Sequence, residues 1–163
     1  MRTHRPIRFI SRLLASVIGL YVLCGPLFPW WPIKPAYGAL RTPRAEVVAR
    51  DIDRLDPVYG HIEEILDREE AFHGLEYREP VTVMVLQESW EPRWFTPWMN
   101  PRIKAFAYQT GDVVFIRPRG SVGTTEEYVA HELSHSLIHQ HCSLAASFTM
   151  AEQDWVLEGA AVR

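Results

Sequence analysis

The stretch His131-Glu132-Leu133-Ser134-His135 restricts this chain more than any other. At 3.6 residues per turn, positions four apart on a helix return to one face, offset by about 40°. Both imidazoles can reach a single metal ion if the segment is helical, so the motif commits its neighbourhood to an α-helix. Glu132 stands one step round, off the ligand line yet close enough to face a water at an open coordination position. Neutral nitrogen ligands, an open fourth position and a carboxylate to take a proton are what a hydrolytic zinc site needs. The expected roles are therefore His131 and His135 as zinc ligands and Glu132 as general base.

The flanks agree with a helix. Thr124 and Glu127 have the spacing of a capping box just upstream. Tyr128, Val129, Leu133, Leu137 and Ile138 supply an apolar stripe for packing, leaving the histidine face to look elsewhere. The bland alternative is a surface helix whose histidines are merely solvated. The cap and the stripe weigh against it.

A hydrolytic zinc needs a third protein ligand, and the segment Trp155-Val156-Leu157-Glu158-Gly159-Ala160-Ala161 follows. Together with the HExxH motif, this aromatic-x-x-Glu-Gly-x-Ala stretch resembles the gluzincins, the thermolysin-like clan of metallopeptidases. The resemblance covers roughly Lys104 to the C-terminus. It implies His131, His135 and Glu158 as the ligand set, with Glu158 on a following helix, and Glu132 as the base. It also implies that a strand before the motif helix lines the cleft, where an edge can hold an extended peptide by main-chain hydrogen bonds.

His141 is the competing third ligand, since it falls where metzincins place their last histidine. That pattern wants glycine at Ile138, where the helix must turn with positive φ, and Ile suits that conformation badly. Met150 is a weak match to a Met-turn. Glu158 is the preferred reading on the missing glycine. His139 is read as solvated or as a neighbour of the site. No motif singles out a transition-state donor among Tyr108, Arg117, His139 and His141.

The N-terminus has a different character. Arg2, Arg5, Arg8 and Arg12 crowd it, the first acidic residue is Glu46, and Leu13 to Trp31 carries no Asp, Glu, Lys or Arg. As one helix that run would be about 28 Å long, close to a bilayer's hydrocarbon thickness. Trp30 and Trp31 stand at its far end, as interfacial aromatics do. Residues 1–31 are expected to be a cytoplasmic tip and single membrane anchor, with the domain periplasmic or at the cell surface. A cleaved signal peptide competes, with Leu13 to Leu23 as its core and Ala36-Tyr37-Gly38 as a site; the product would be secreted. Leu23 argues against a lipoprotein site at Cys24, and Cys24 and Cys142 are too differently placed to pair.

Of 17 basic residues four lie before the span, leaving 17 − 4 = 13 against 20 acidic ones, which gives no support to nucleic-acid binding. Residues 32–43, rich in proline and small residues, read as a tether, and 44–163 as the domain. Val47, Val48, Ile52, Leu55, Val58, Ile62 and Leu66 recur at helical spacing, with Pro57 as a kink or fresh start. Val81–Leu86 reads as a strand, and 104–108 with 113–116 as a hairpin about Thr110-Gly111-Asp112. Trp90, Trp94, Phe95 and Trp98, interleaved with Pro92, Pro97 and Pro101, read as an irregular loop, either folded on the core or forming a cleft wall or membrane-facing rim.

The expected class is α+β. It comprises an N-terminal membrane helix, a helical region, a small mostly antiparallel sheet, the HExxH helix and a Glu-ligand helix in a minimal zincin-like domain. The expected function is zinc-dependent hydrolysis of peptide or protein substrates outside the cytoplasm. Because the chain ends five residues past Glu158, a second expectation stands beside it: a weak or inactive metal-binding scaffold, or a protein whose partner completes the cleft.

Overall fold

The computed structural model of the chain describes residues 4–100, 103–117, 125–143 and 145–146. The chain is α+β, with a five-stranded sheet and four α-helices among these residues. Helix α1 spans His4–Cys24 and stops at Gly25-Pro26, since the residue before proline is disfavoured in the α region. Among the described residues no helix is long and apolar enough to cross a membrane. The uncharged run is not one helix either. Phe28 and Pro29 lie in a 3₁₀ turn and are buried in the domain.

The expected tether contains strand β1, Gly38–Arg41, which pairs antiparallel with β2, Ala45–Ala49. Val47 and Val48 therefore belong to a strand and not to the helix their spacing suggests. β2 is buried on both faces, so it shows no polar alternation to mark it. Pro57 does mark a fresh start: Asp56 accepts from the Val58 N–H at 3.0 Å and opens a 3₁₀ turn leading into α2, Ile62–His73. Gly74, at φ 65°, ends α2. Then come β3 (Val81–Val85), α3 (Glu91–Phe95), β4 (Ala105–Ala107), β5 (Val113–Ile116) and α4 (Thr125–His141).

The strand order is β1-β2-β3-β5-β4. The sheet is mixed, not mostly antiparallel: the central pairs β2–β3 and β3–β5 are parallel, and the two edge pairs are antiparallel. Parallel neighbours need a long crossover, and the segment carrying α2 supplies one between β2 and β3. α3 is also a correction, because Pro92 stands in the first turn of that helix, where its missing N–H costs nothing.

Alternation along the strands gives the sheet two covered faces. Val47, Val83, Val85, Val114 and Ile116 pack with Ile62, Leu66, Val129 and Leu133 of α2 and α4. Val48, Met84, Val113 and Phe115 turn the other way, onto Phe28, Phe95 and the aromatic rings around them. The motif helix and the tryptophan-rich segment thus lie on opposite sides of the sheet.

Candidate metal centre

α4 runs unbroken from Thr125 to His141, through Ile138. Val129, Leu133 and Leu137 are fully buried and face the core, as the stripe predicts; Tyr128 and Ile138 are half-buried. Thr124, the expected cap, lies outside the described residues.

Other elements fix this helix along its whole length. Thr125 Oγ1 donates to Asp56 Oδ2 at 2.8 Å, and Arg68 pairs with Glu126 at 2.7 Å. The Tyr77 hydroxyl donates to the Leu133 carbonyl at 2.7 Å. At the C-terminal end Gln140 Nε2 donates to the Gly111 carbonyl at 2.8 Å, while its Oε1 accepts from the Arg78 N–H at 2.8 Å. Gly111 has φ 75°, and a Cβ there would lie 2.7 Å from the Gln140 nitrogen, so the β4–β5 turn can approach the helix this closely because it has no side chain.

On the helix so held, the Nε2 atoms of His131 and His135 come within 3.0 Å of each other, the rings nearly perpendicular. Glu132, 7% exposed, follows His131 in the chain. Burial, with the nearby His131, His139 and His73 adding to it, pushes His135 down to about 4. Burial also lowers His139. A neutral imidazole is the ligand form a metal requires, so the pair meets the demand of convergence and His135 meets that of charge state as well. Among the described residues no group of three or more His, Cys, Asp or Glu is placed to hold an ion. The expected third ligand, Glu158, and Met150 lie outside the described residues.

His141 is accounted for differently. With the helix continuing through Ile138, its Nε2 lies 2.8 Å from the Glu76 carbonyl. Tyr108 is on the other face of the sheet, its ring against Trp30, Trp98, Phe106 and Phe115. His139 is buried, and its Nδ1 has no hydrogen-bond partner among the described residues. Among the described residues Cys24 and Cys142 form no disulfide.

Sequence reasoning missed a polar network behind the motif. Ser134 Oγ donates to Glu69 Oε2 at 2.6 Å, and His73 Nε2 lies 3.1 Å from the same hydroxyl. Because the hydroxyl proton is directed to Glu69, His73 is the donor in the second bond. The signal was present: Glu69 and His73 are four apart on α2 and so share one face. Comparison with family models, curated proteins and solved structures finds no match to this chain.

Proposed function

We propose that this chain is a gluzincin-type zinc metallopeptidase, anchored in a membrane by its N-terminal helix and hydrolysing peptide bonds outside the cytoplasm. The observation that carries the reading is the 3.0 Å convergence of the His131 and His135 Nε2 atoms on a helix pinned at both ends. His131 and His135 would hold the ion, with Glu158 as third ligand by resemblance. A zinc ion bound there supplies Lewis-acid polarisation of the scissile carbonyl and eases deprotonation of water. Glu132 accepts the proton of the attacking water and can hand it to the leaving amine.

Two further features support the reading. β4 is an edge strand, antiparallel to β5, and α4 packs beside it, so a peptide could extend the sheet there. The segment after α1 supports an anchor over a cleaved signal peptide. Phe28 is buried against Phe95 and Tyr37, and the Tyr37 hydroxyl donates to the buried Glu91. Cleavage near Ala36 would strip Phe28 from that core.

The test is metal content measured together with cleavage of a broad peptide library by the full-length protein. Wild type should hold zinc and cleave. Glu132→Gln should keep the zinc and lose about a hundred- to ten-thousand-fold in rate. A wild-type protein that holds zinc yet cleaves nothing would favour the second reading, a metal-binding scaffold.

A further inference from the structure

We propose that the tryptophan rim around the end of α1 is seated in the headgroup zone of a phospholipid bilayer. The domain would then lie flush on the membrane and not swing from a tether. The inference rests on the anchor reading above and adds to it where the domain sits.

The first observation is a length. The uncharged part of α1, Leu13 to Cys24, is twelve residues (24 − 13 + 1), or about 18 Å at 1.5 Å per residue. That falls short of a hydrocarbon core of about 30 Å. Its large apolar side chains, among them Leu13, Leu14, Val17, Ile18, Leu20 and Leu23, are all exposed. At 100° steps with Ile10 and Val22 they leave one gap, where Arg12, Ala15 and Gly19 stand, and such near all-round exposure suits lipid better than a one-sided protein groove. A short span can be completed by long arginines reaching outward at one end and by apolar surface drawn in at the other.

That surface is present where α1 ends. Leu27, Trp30, Trp90, Trp94 and Trp98 are between 39% and 55% exposed. Indole rings with one polar edge are the side chains that favour the interfacial layer. Arg50 lies 5.5 Å over the Trp90 ring and Arg93 is exposed beside Trp94, which puts cations at phosphate height. Acids stand near as well: Glu88 and Asp53 are exposed, and Trp30 Nε1 donates to Asp112 Oδ2 at 2.6 Å.

The helix end and this rim are joined directly. Tyr21 packs edge-on to Trp94 at 5.0 Å, and Trp94 Nε1 donates to the Cys24 carbonyl at 2.9 Å. Gly25 permits the approach, since a Cβ there would lie 2.7 Å from the Trp94 carbonyl oxygen. A helix that enters the bilayer therefore brings the rim down with it. The motif helix, on the far face of the sheet, is held away from the lipid.

The experiment uses the full chain in phosphatidylcholine–phosphatidylglycerol vesicles, with lipids brominated near the headgroup or near the chain end. Extraction by alkaline carbonate would reject the anchor reading and this proposal with it. Given retention, headgroup-side bromine should quench tryptophan emission more than chain-end bromine, and aqueous acrylamide should quench less than in lipid-free protein. Trp98→Ser, at an exposed position, should lose part of the headgroup-side quenching while staying in the membrane. Retained protein whose tryptophans escape brominated lipid and stay open to acrylamide would overturn the seat alone. So would protection that appears without lipid and grows with protein concentration, the mark of a second copy as occupant. Unchanged quenching in Trp98→Ser would also overturn it.

Discussion

Ser134 donates its hydroxyl proton to Glu69 at 2.6 Å, both residues 1% exposed, so a carboxylate on α2 is bonded to the motif helix in the turn between its two histidines. The bond fixes the rotation of α4 about its own axis, on which the direction of the His131–His135 pair depends. His73 Nε2 donates in turn to the Ser134 hydroxyl oxygen, at 3.1 Å.

Ser134→Ala should therefore destabilise the protein beyond the loss of one small group. Removing the donor leaves a buried carboxylate short of a partner, which costs about 1–3 kcal/mol. Glu69→Gln keeps an acceptor for the hydroxyl and should cost less. Urea midpoints measure both. A Ser134→Ala midpoint equal to that of wild type would show that the network carries no stability.

Arg44, between β1 and β2, bonds three carboxylates of α2: Glu63 at 2.7 Å, Asp67, and Glu70 at 2.9 Å. Burial would raise the Glu63 carboxyl, but hydrogen bonds from Thr42 and from the Arg44 N–H and guanidinium outweigh it and hold the group below its ordinary value. Its folded value is depressed, so its contribution is full above the unfolded value and is lost as pH falls through the folded one. Arg44→Met should lower stability at neutral pH by on the order of 1 kcal/mol for a partly exposed network. The gap to wild type should close under acid. Urea midpoints taken down through the carboxylate range test this, and a gap independent of pH would reject the electrostatic account.

The ligand assignment separates by substitution. His141 faces the Glu76 carbonyl on a helix that does not break at Ile138. His141→Ala should leave bound zinc largely in place, whereas Glu158→Ala should release most of it at neutral pH. Zinc stoichiometry after gel filtration decides, and the reverse pattern would falsify the Glu158 assignment.

β3, β4, β5 and the motif helix were legible in the sequence because their signals are local: a β-branched run, a glycine turn, apolar positions at helical spacing. β1 and β2 were not. Val47 and Val48 lie in a strand buried on both faces, and with Ile52 and Leu55 of the next turns they mimic helical spacing. The parallel centre depends on which strand closes against which, and no local pattern encodes that. At the candidate site the two histidines and Glu132 could be read from spacing alone. Glu69 and His73 share a face of α2 by spacing, but only the contact of α2 with α4 brings them to Ser134, which spacing does not encode.

The two hairpins of this sheet lie at its edges, and its middle is made of distant pairings: Ala45 with Val81, Thr82 with Val113. β1–β2 and β4–β5 can each close quickly, but neither has a core until β3 slots between them. Folding is therefore paced by the capture of one five-residue strand. A chain halted before that step would carry Val81–Val85, apolar but for Thr82, as an open strand in need of protection while the protein is being made.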